Sequence, residues 1–257
     1  MAKVADINID ITTCIISRIA SQAVSNIAPS FMGGEVVRLA TLKYIGGSRD
    51  LLRPMAIILL EIILDVTVTN IPSLLISAYF IIFKRNFIFL LPLAASLYLL
   101  LSWLLSTLVL FKSNFRRHFL KLLIKFTKGM GLNINLEDSI RDLKSIIQAL
   151  ILGRRLIPAL ALSILILLLR SLTIYITCNM LGYNVDFIYS LLAYCITLSL
   201  GVIPTPGGAG GIELGASLML KPEVVIVWRA ITYYIITAIS LLFLIVLVLR
   251  YHLEVEG

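Results

Sequence analysis

Gly201-Val202-Ile203-Pro204-Thr205-Pro206-Gly207-Gly208-Ala209-Gly210-Gly211-Ile212-Glu213-Leu214-Gly215 interrupts what would otherwise read as one long membrane helix. Apolar runs flank it, yet Pro204 and Pro206 each remove a backbone donor and cannot sit quietly inside a helix. Gly207, Gly208, Gly210 and Gly211 then allow positive φ and close backbone approach. In hydrocarbon, backbone groups freed in this way survive only if buried in protein or facing a water-filled cavity. A carboxylate, Glu213, follows at once. The stretch predicts a broken helix built around a site.

Composition puts that break in a membrane. Of 257 residues, 60% are hydrophobic and 14% charged, whereas soluble domains carry about a quarter charged residues. Mean hydropathy is +1.01. At about 20 apolar residues per span, the length allows roughly five to seven membrane segments plus one polar insert. The expected fold class is all-α, a polytopic integral membrane helical bundle. One membrane domain covers 1–257, with no room for a separate soluble catalytic domain. The net charge of +8 reads as a topology signal, and no nucleic-acid partner is expected. Cys14, Cys178 and Cys195 lie in apolar runs at spacings that suit neither a disulfide framework nor a metal site. His118 and His252 flank basic or terminal segments, and no nucleotide-binding motif occurs, so no metal or cofactor is expected. Asp6 and Asp10 argue against a cleavable signal peptide, and the expected address is the plasma membrane, crossed several times.

Residues 7–28 are only moderately apolar and contain Arg18, Gln22 and Asn26. Their small residues, among them Ser17, Ala20 and Ser21, predict an interior helix that packs closely on its neighbours. A break at 29–35 precedes a short amphipathic piece, Val36 to Tyr44, expected to be re-entrant or interfacial. Residues 54–83 form a long apolar run in which Pro72 predicts a break. Glu61 and Asp65 share one face of it, so a cation or a proton must offset their repulsion. Spans are also expected over 87–111, 156–181 with Arg170 near its centre, and 224–250. Arg229, near the start of the last span, either snorkels to the interface or meets a ligand.

The polar insert, 112–155, carries ten Lys/Arg against three acids, which by the positive-inside rule puts it in the cytoplasm. Phe115, Phe119, Leu122, Leu123 and Phe126 make its first half a basic amphipathic helix suited to an anionic surface. A second helix follows, with Ile140, Leu143, Ile147 and Leu150 along one stripe.

The opening motif has a weak echo. Pro29, Gly33, Gly34 and Glu35 resemble the order Pro206, Gly207, Gly208, Gly210, Gly211 and Glu213. Interrupted segments in corresponding positions of two halves point to the binding site of a transporter built as an inverted repeat. Half-helix N-termini attract phosphate or carboxylate, so one phosphate held between two such ends is physically reasonable.

Residues 201–213 resemble the signature of the lysylphosphatidylglycerol synthase transmembrane-region family, also called flippase-like domain proteins. Pro29, Gly34, Glu35 and Arg38, followed by Glu61 and Asp65, are similar to its first half. The resemblance implies a polytopic domain that handles phospholipid or polyprenyl-linked lipid, in some members by moving it between leaflets. Ile62 stands where the family often shows an arginine, so the cation for Glu61 and Asp65 must come from Arg170, Arg38 or Arg18. The family's soluble aminoacyl-transferase domain has no counterpart here, so lysyl transfer by this chain alone is not expected.

These observations lead first to a lipid flippase. Its lipid headgroup-binding residues would be Gly33, Gly34, Glu35, Arg38, Glu61, Asp65, Arg170, Pro204, Pro206, Gly207, Gly208, Gly210, Gly211, Glu213 and Arg229. Its partners would be membrane lipids of anionic or polyprenyl-phosphate type, with a homo-oligomer or a partner enzyme also compatible. Two alternatives stand beside it: a membrane-embedded lipid-phosphate transferase, and an accessory subunit of a glycosyltransferase or lipid synthase.

Overall fold

A computed structural model describes residues 11–28, 33–44, 52–111, 144–148, 156–203 and 205–256. Every regular element among them is helical. Most of the basic insert, and with it the amphipathic helix expected over its first half, lies outside the described residues.

The chain opens with a helical hairpin, α1 (Ile11–Ile27) and α2 (Gly33–Tyr44). The small residues of α1 decide how close its partner comes. Ala20 and Ala23 are fully buried, as are Ser17 and Ser21 to within a few per cent. A Cβ on Gly34 would lie 1.7 Å from Ser25 Oγ and 2.5 Å from the Ser21 carbonyl, so only glycine lets α2 start against α1. The two arms pack against each other along this small-residue face.

Two long helices follow, α3 (Leu52–Lys84) and α4 (Leu90–Phe111), joined through a short 3-10 turn at Phe87–Phe89. The break expected at Pro72 does not occur, because α3 runs straight through it. Proline removes the bond to the carbonyl of residue 68, while side chains bond several neighbouring carbonyls. Thr67, Thr69 and Asn70 donate to the carbonyls of Ile63, Asp65 and Val66 at 2.6, 2.7 and 2.9 Å. None of these is the carbonyl of residue 68, and the packing of α3 against its neighbours keeps it in line instead.

The second half begins with α5 (Leu156–Met180) and then repeats the hairpin theme. Helix α6 (Phe187–Ser199) ends in a 3-10 turn at Leu200–Val202, and the chain returns as α7 (Gly211–Ser217). Gly211 lies against Leu200 and Gly215 against Thr197. Helix α8 (Pro222–Arg229) starts with proline at its first turn, where no donor is needed. It passes through a π-helical segment, Ala230–Ile235, into α9 (Ile236–Glu256). The five to seven segments allowed by length thus resolve into four long apolar helices plus two short hairpins among the described residues.

The largest apolar core joins α5, α6, α7 and α8, with Ile174, Cys178, Ala193, Cys195, Ile212, Ala216 and Trp228 nearly inaccessible. Trp228 donates Nε1–H to Thr173 Oγ1 at 2.9 Å, tying α8 to α5. A second core packs Ala56, Ile57, Leu60 and Leu64 of α3 against Ala159 of α5 and Ile147, the one buried contact described from the insert's predicted stripe. Outward faces of α4 and α9 expose Leu101, Leu104, Leu105, Ile239, Leu242 and Val246. Burial of these residues is left to the lipid, as expected for helices with apolar stripes on the outside of a membrane bundle.

Candidate functional site

The charges predicted to share one site fall into two clusters, one behind each hairpin. In the first, Arg38 of α2 donates Nη2–H to Glu61 Oε2 of α3, and Arg18 Nη1 of α1 lies 3.3 Å from Glu61 Oε1. Glu35, in the first turn of α2, faces Arg38 Nη1 at 3.7 Å. The cation sought for Glu61 is therefore shared between Arg38 and Arg18. Asp65 takes a different partner, accepting from Ser163 Oγ of α5 at 2.7 Å. Arg170, about two turns further along α5, lies with Tyr194, Asp65 and Glu61 as its electrostatic neighbours and has no ion pair among the described residues.

This cluster borders a cavity of about 250 Å3 between α1, α2, α3 and α5. Arg38, Glu61, Ser17 and Ser163 supply its polar wall, and Leu42, Ile57 and Ile166 part of its apolar wall. Two buried atoms beside it, Arg38 Nη1 and Glu35 Oε2, face each other as an ion pair at 3.7 Å, too far apart for a hydrogen bond. Ser163, Ser17 and Cys14 carry no motif that would have marked them as cavity residues; only packing brings them there.

The second cluster is closed on itself. Glu213 Oε2 accepts from the Gly210 N–H at 2.6 Å, and Glu213 Oε1 accepts from Arg229 Nε at 2.6 Å. Arg229 is 6% exposed, so it does not snorkel. Its Nη2 reaches the Gly207 carbonyl at 3.5 Å, and its guanidinium carbon sits 4.2 Å from the Tyr233 ring centroid. Most amides of the break are also engaged. Gly207, Gly208, Ala209, Ile212 and Leu214 donate to the carbonyls of Ala28, Thr205, Pro206, Gly208 and Gly210 respectively. Gly207 has φ +56, and a Cβ there would lie 2.3 Å from Tyr233 Cε2 and 2.7 Å from the Asn26 carbonyl. Pro204 lies outside the described residues, while Pro206, Gly208 and Gly211 sit in the turn and at the start of α7.

The two breaks meet. The Gly207 amide bonds the Ala28 carbonyl at 3.4 Å, and Tyr233 Oη–H donates to the Asn26 carbonyl at 2.8 Å. Asn26 Nδ2 donates to Thr237 Oγ1 at 2.6 Å, so α1 is fastened to the last span as well. Asn26 and Tyr233 were not marked by any motif, although a buried asparagine in an apolar helix is itself a signal that a partner must exist.

Four long apolar helices, with ion pairs held inside the bundle, define a polytopic integral membrane protein. Within that class, the chain belongs to the family described as the lysylphosphatidylglycerol synthase TM region, whose pattern matches residues 1–240. No curated protein and no solved structure matches the chain. Membership ties the chain to membrane lipid.

Proposed function

We propose that this protein receives the polar head of a phospholipid or polyprenyl-linked lipid and carries it between leaflets. The observation that supports this best is the cavity walled by Arg38, Glu61 and Ser163 in the midst of apolar helices. Charged groups at membrane depth are costly unless paired or wet, and they mark functional pathways by default. In this reading Arg38 and Arg18 meet the phosphate, Glu35 and Glu61 keep those arginines in place, Asp65 holds Ser163 at the cavity wall, and the acyl chains stay in the bilayer. The chain then acts as a single domain in the plasma membrane, with the basic stretch 112–155 on the cytoplasmic leaflet.

The test is leaflet exchange in proteoliposomes containing headgroup-labelled phospholipid or polyprenyl phosphate. Wild-type protein should speed exchange over empty vesicles. Arg38→Ala should slow it at equal amounts of folded protein. Wild-type vesicles with no exchange of any such lipid would refute the proposal.

A further inference from the structure

Helix α3 carries a polar residue at every fourth position from the cavity onward: Glu61, Asp65, Thr69, Ser73 and Ser77. Residues four apart share a face, so these five make one continuous stripe. At 1.5 Å per residue the stripe is about 24 Å long, most of the roughly 30 Å hydrocarbon thickness. It also winds, advancing about 40° per step because four residues overshoot one turn of 3.6. Its partners change accordingly. Glu61 meets Arg38 of α2, Asp65 meets Ser163 of α5, and Ser73 accepts from Ser96 Oγ of α4 at 3.0 Å.

Hydroxyl-bearing faces also serve simply to let helices approach closely. Two features do not follow from packing alone. Thr67 and Thr69 satisfy themselves on the carbonyl one turn back, but Ser77 Oγ, fully buried, has no partner among the described residues. Asn70, 4% exposed and beside Thr69, likewise leaves Oδ1 without a donor. Pro72, between them, withholds the amide that would bond the carbonyl of residue 68. An unmade donor or acceptor in an apolar interior is normally filled by water or a polar ligand.

Resting on the proposed lipid-moving role, we infer that the stripe Glu61–Asp65–Thr69–Ser73–Ser77 is the track along which a phosphate-bearing lipid head crosses the bilayer. Its charged end is the cavity. Its hydroxyl end is shut here, since Thr69, Ser73 and Ser77 are 8%, 0% and 0% exposed, and the Ser73–Ser96 bond joins α3 to α4 across it. Passage therefore requires α4 to part from α3. Hydroxyls suit such a track because each can donate to a phosphate oxygen or to water without holding the head as tightly as a fixed charge.

The experiment uses the full chain in proteoliposomes with labelled phospholipid. Thr69→Cys, Ser73→Cys and Ser77→Cys are exposed to a charged, membrane-impermeant thiol reagent, and the modified position is read by peptide mass spectrometry. Leu75→Cys, at a lipid-facing position 62% exposed, is the control. Modification at 69, 73 and 77 but not 75 is expected. Ser73→Ala with Ser77→Ala should slow exchange about tenfold, the rate equivalent of one lost hydrogen bond to a charged group. Lipid exchange by the wild type, with no modification at 73 and 77 and no slowing in the alanine variant, would reduce the stripe to a packing seam and overturn the inference alone. Modification along the stripe in a protein that moves no lipid would keep a polar track and overturn the lipid-moving role instead. Neither modification nor exchange would overturn both.

Discussion

Glu213→Gln probes whether the second break is held by its own charges. Glutamine keeps an oxygen for the Gly210 amide, now bonded at 2.6 Å, but turns its NH2, a donor, toward the Arg229 Nε donor. The lost charge leaves Arg229, 6% exposed, with only the Tyr233 ring at 4.2 Å and the Gly207 carbonyl at 3.5 Å. Removing one partner of a fully buried pair costs about 3–5 kcal/mol. The Glu213 side chain is 35% exposed, so solvent already screens part of the attraction. The ring offsets about 1 kcal/mol more. A loss of about 2–3 kcal/mol is therefore expected for Glu213→Gln. Arg229→Met strands the more exposed partner, which keeps its Gly210 bond, and should cost less, about 1–2 kcal/mol. The double variant should recover at least about 1 kcal/mol relative to the sum, as contacting pairs do in a cycle. Reversible unfolding in mixed micelles measures all four proteins. Strict additivity would refute the pairing as a source of stability.

Other consequences follow from single contacts. Gly207→Ala places a Cβ 2.3 Å from Tyr233 Cε2 in a left-handed backbone, and should lower the unfolding midpoint well beyond the ~1–2 kcal/mol of the backbone alone; an unchanged midpoint would contradict the geometry. Gly34→Ala should loosen the first hairpin, seen as faster proteolysis within α1 and α2, and adding Ser25→Ala should restore only part of the loss because the Ser21 carbonyl still lies 2.5 Å away. Tyr233→Phe removes the 2.8 Å bond to the Asn26 carbonyl but keeps the ring over Arg229, so it should cost about 1 kcal/mol, less than Tyr233→Leu, in the same unfolding assay.

Much of this architecture is legible residue by residue. Pro206 and the following glycines announce a turn, and Gly33–Gly34–Glu35 announce the other hairpin, because donors and Cβ atoms are missing whatever surrounds them. Pro72 shows the limit of such reading. The same missing donor ends no helix there, since α3 is packed between flanking helices that hold it in line. The four-residue polar repeat beyond Asp65 was also open to reading, but small hydroxyl residues in a membrane helix carry no sign of their own until burial and missing partners distinguish them.

The sequence by itself determined that the protein lives in a membrane, where its helices break, and which charges must enter the bundle. Those are properties of the local chain: hydropathy, absent amides and ionisable groups need no knowledge of what packs where. Only the tertiary structure decided which charge answers which. Glu61 pairs with Arg38 across 23 positions, Asp65 with Ser163 across 98, and Glu213 with Arg229 across 16. The break from Gly207 to Glu213 reads in the chain as an open anion site, yet most of its amides and its carboxylate are answered from within by carbonyls, by Gly210 and by Arg229. The cavity lies instead behind the first hairpin, beside Arg38 and Glu61. Several arginines were equally able to neutralise those carboxylates, and distance, set by the packing of α1, α2, α3 and α5, made the choice.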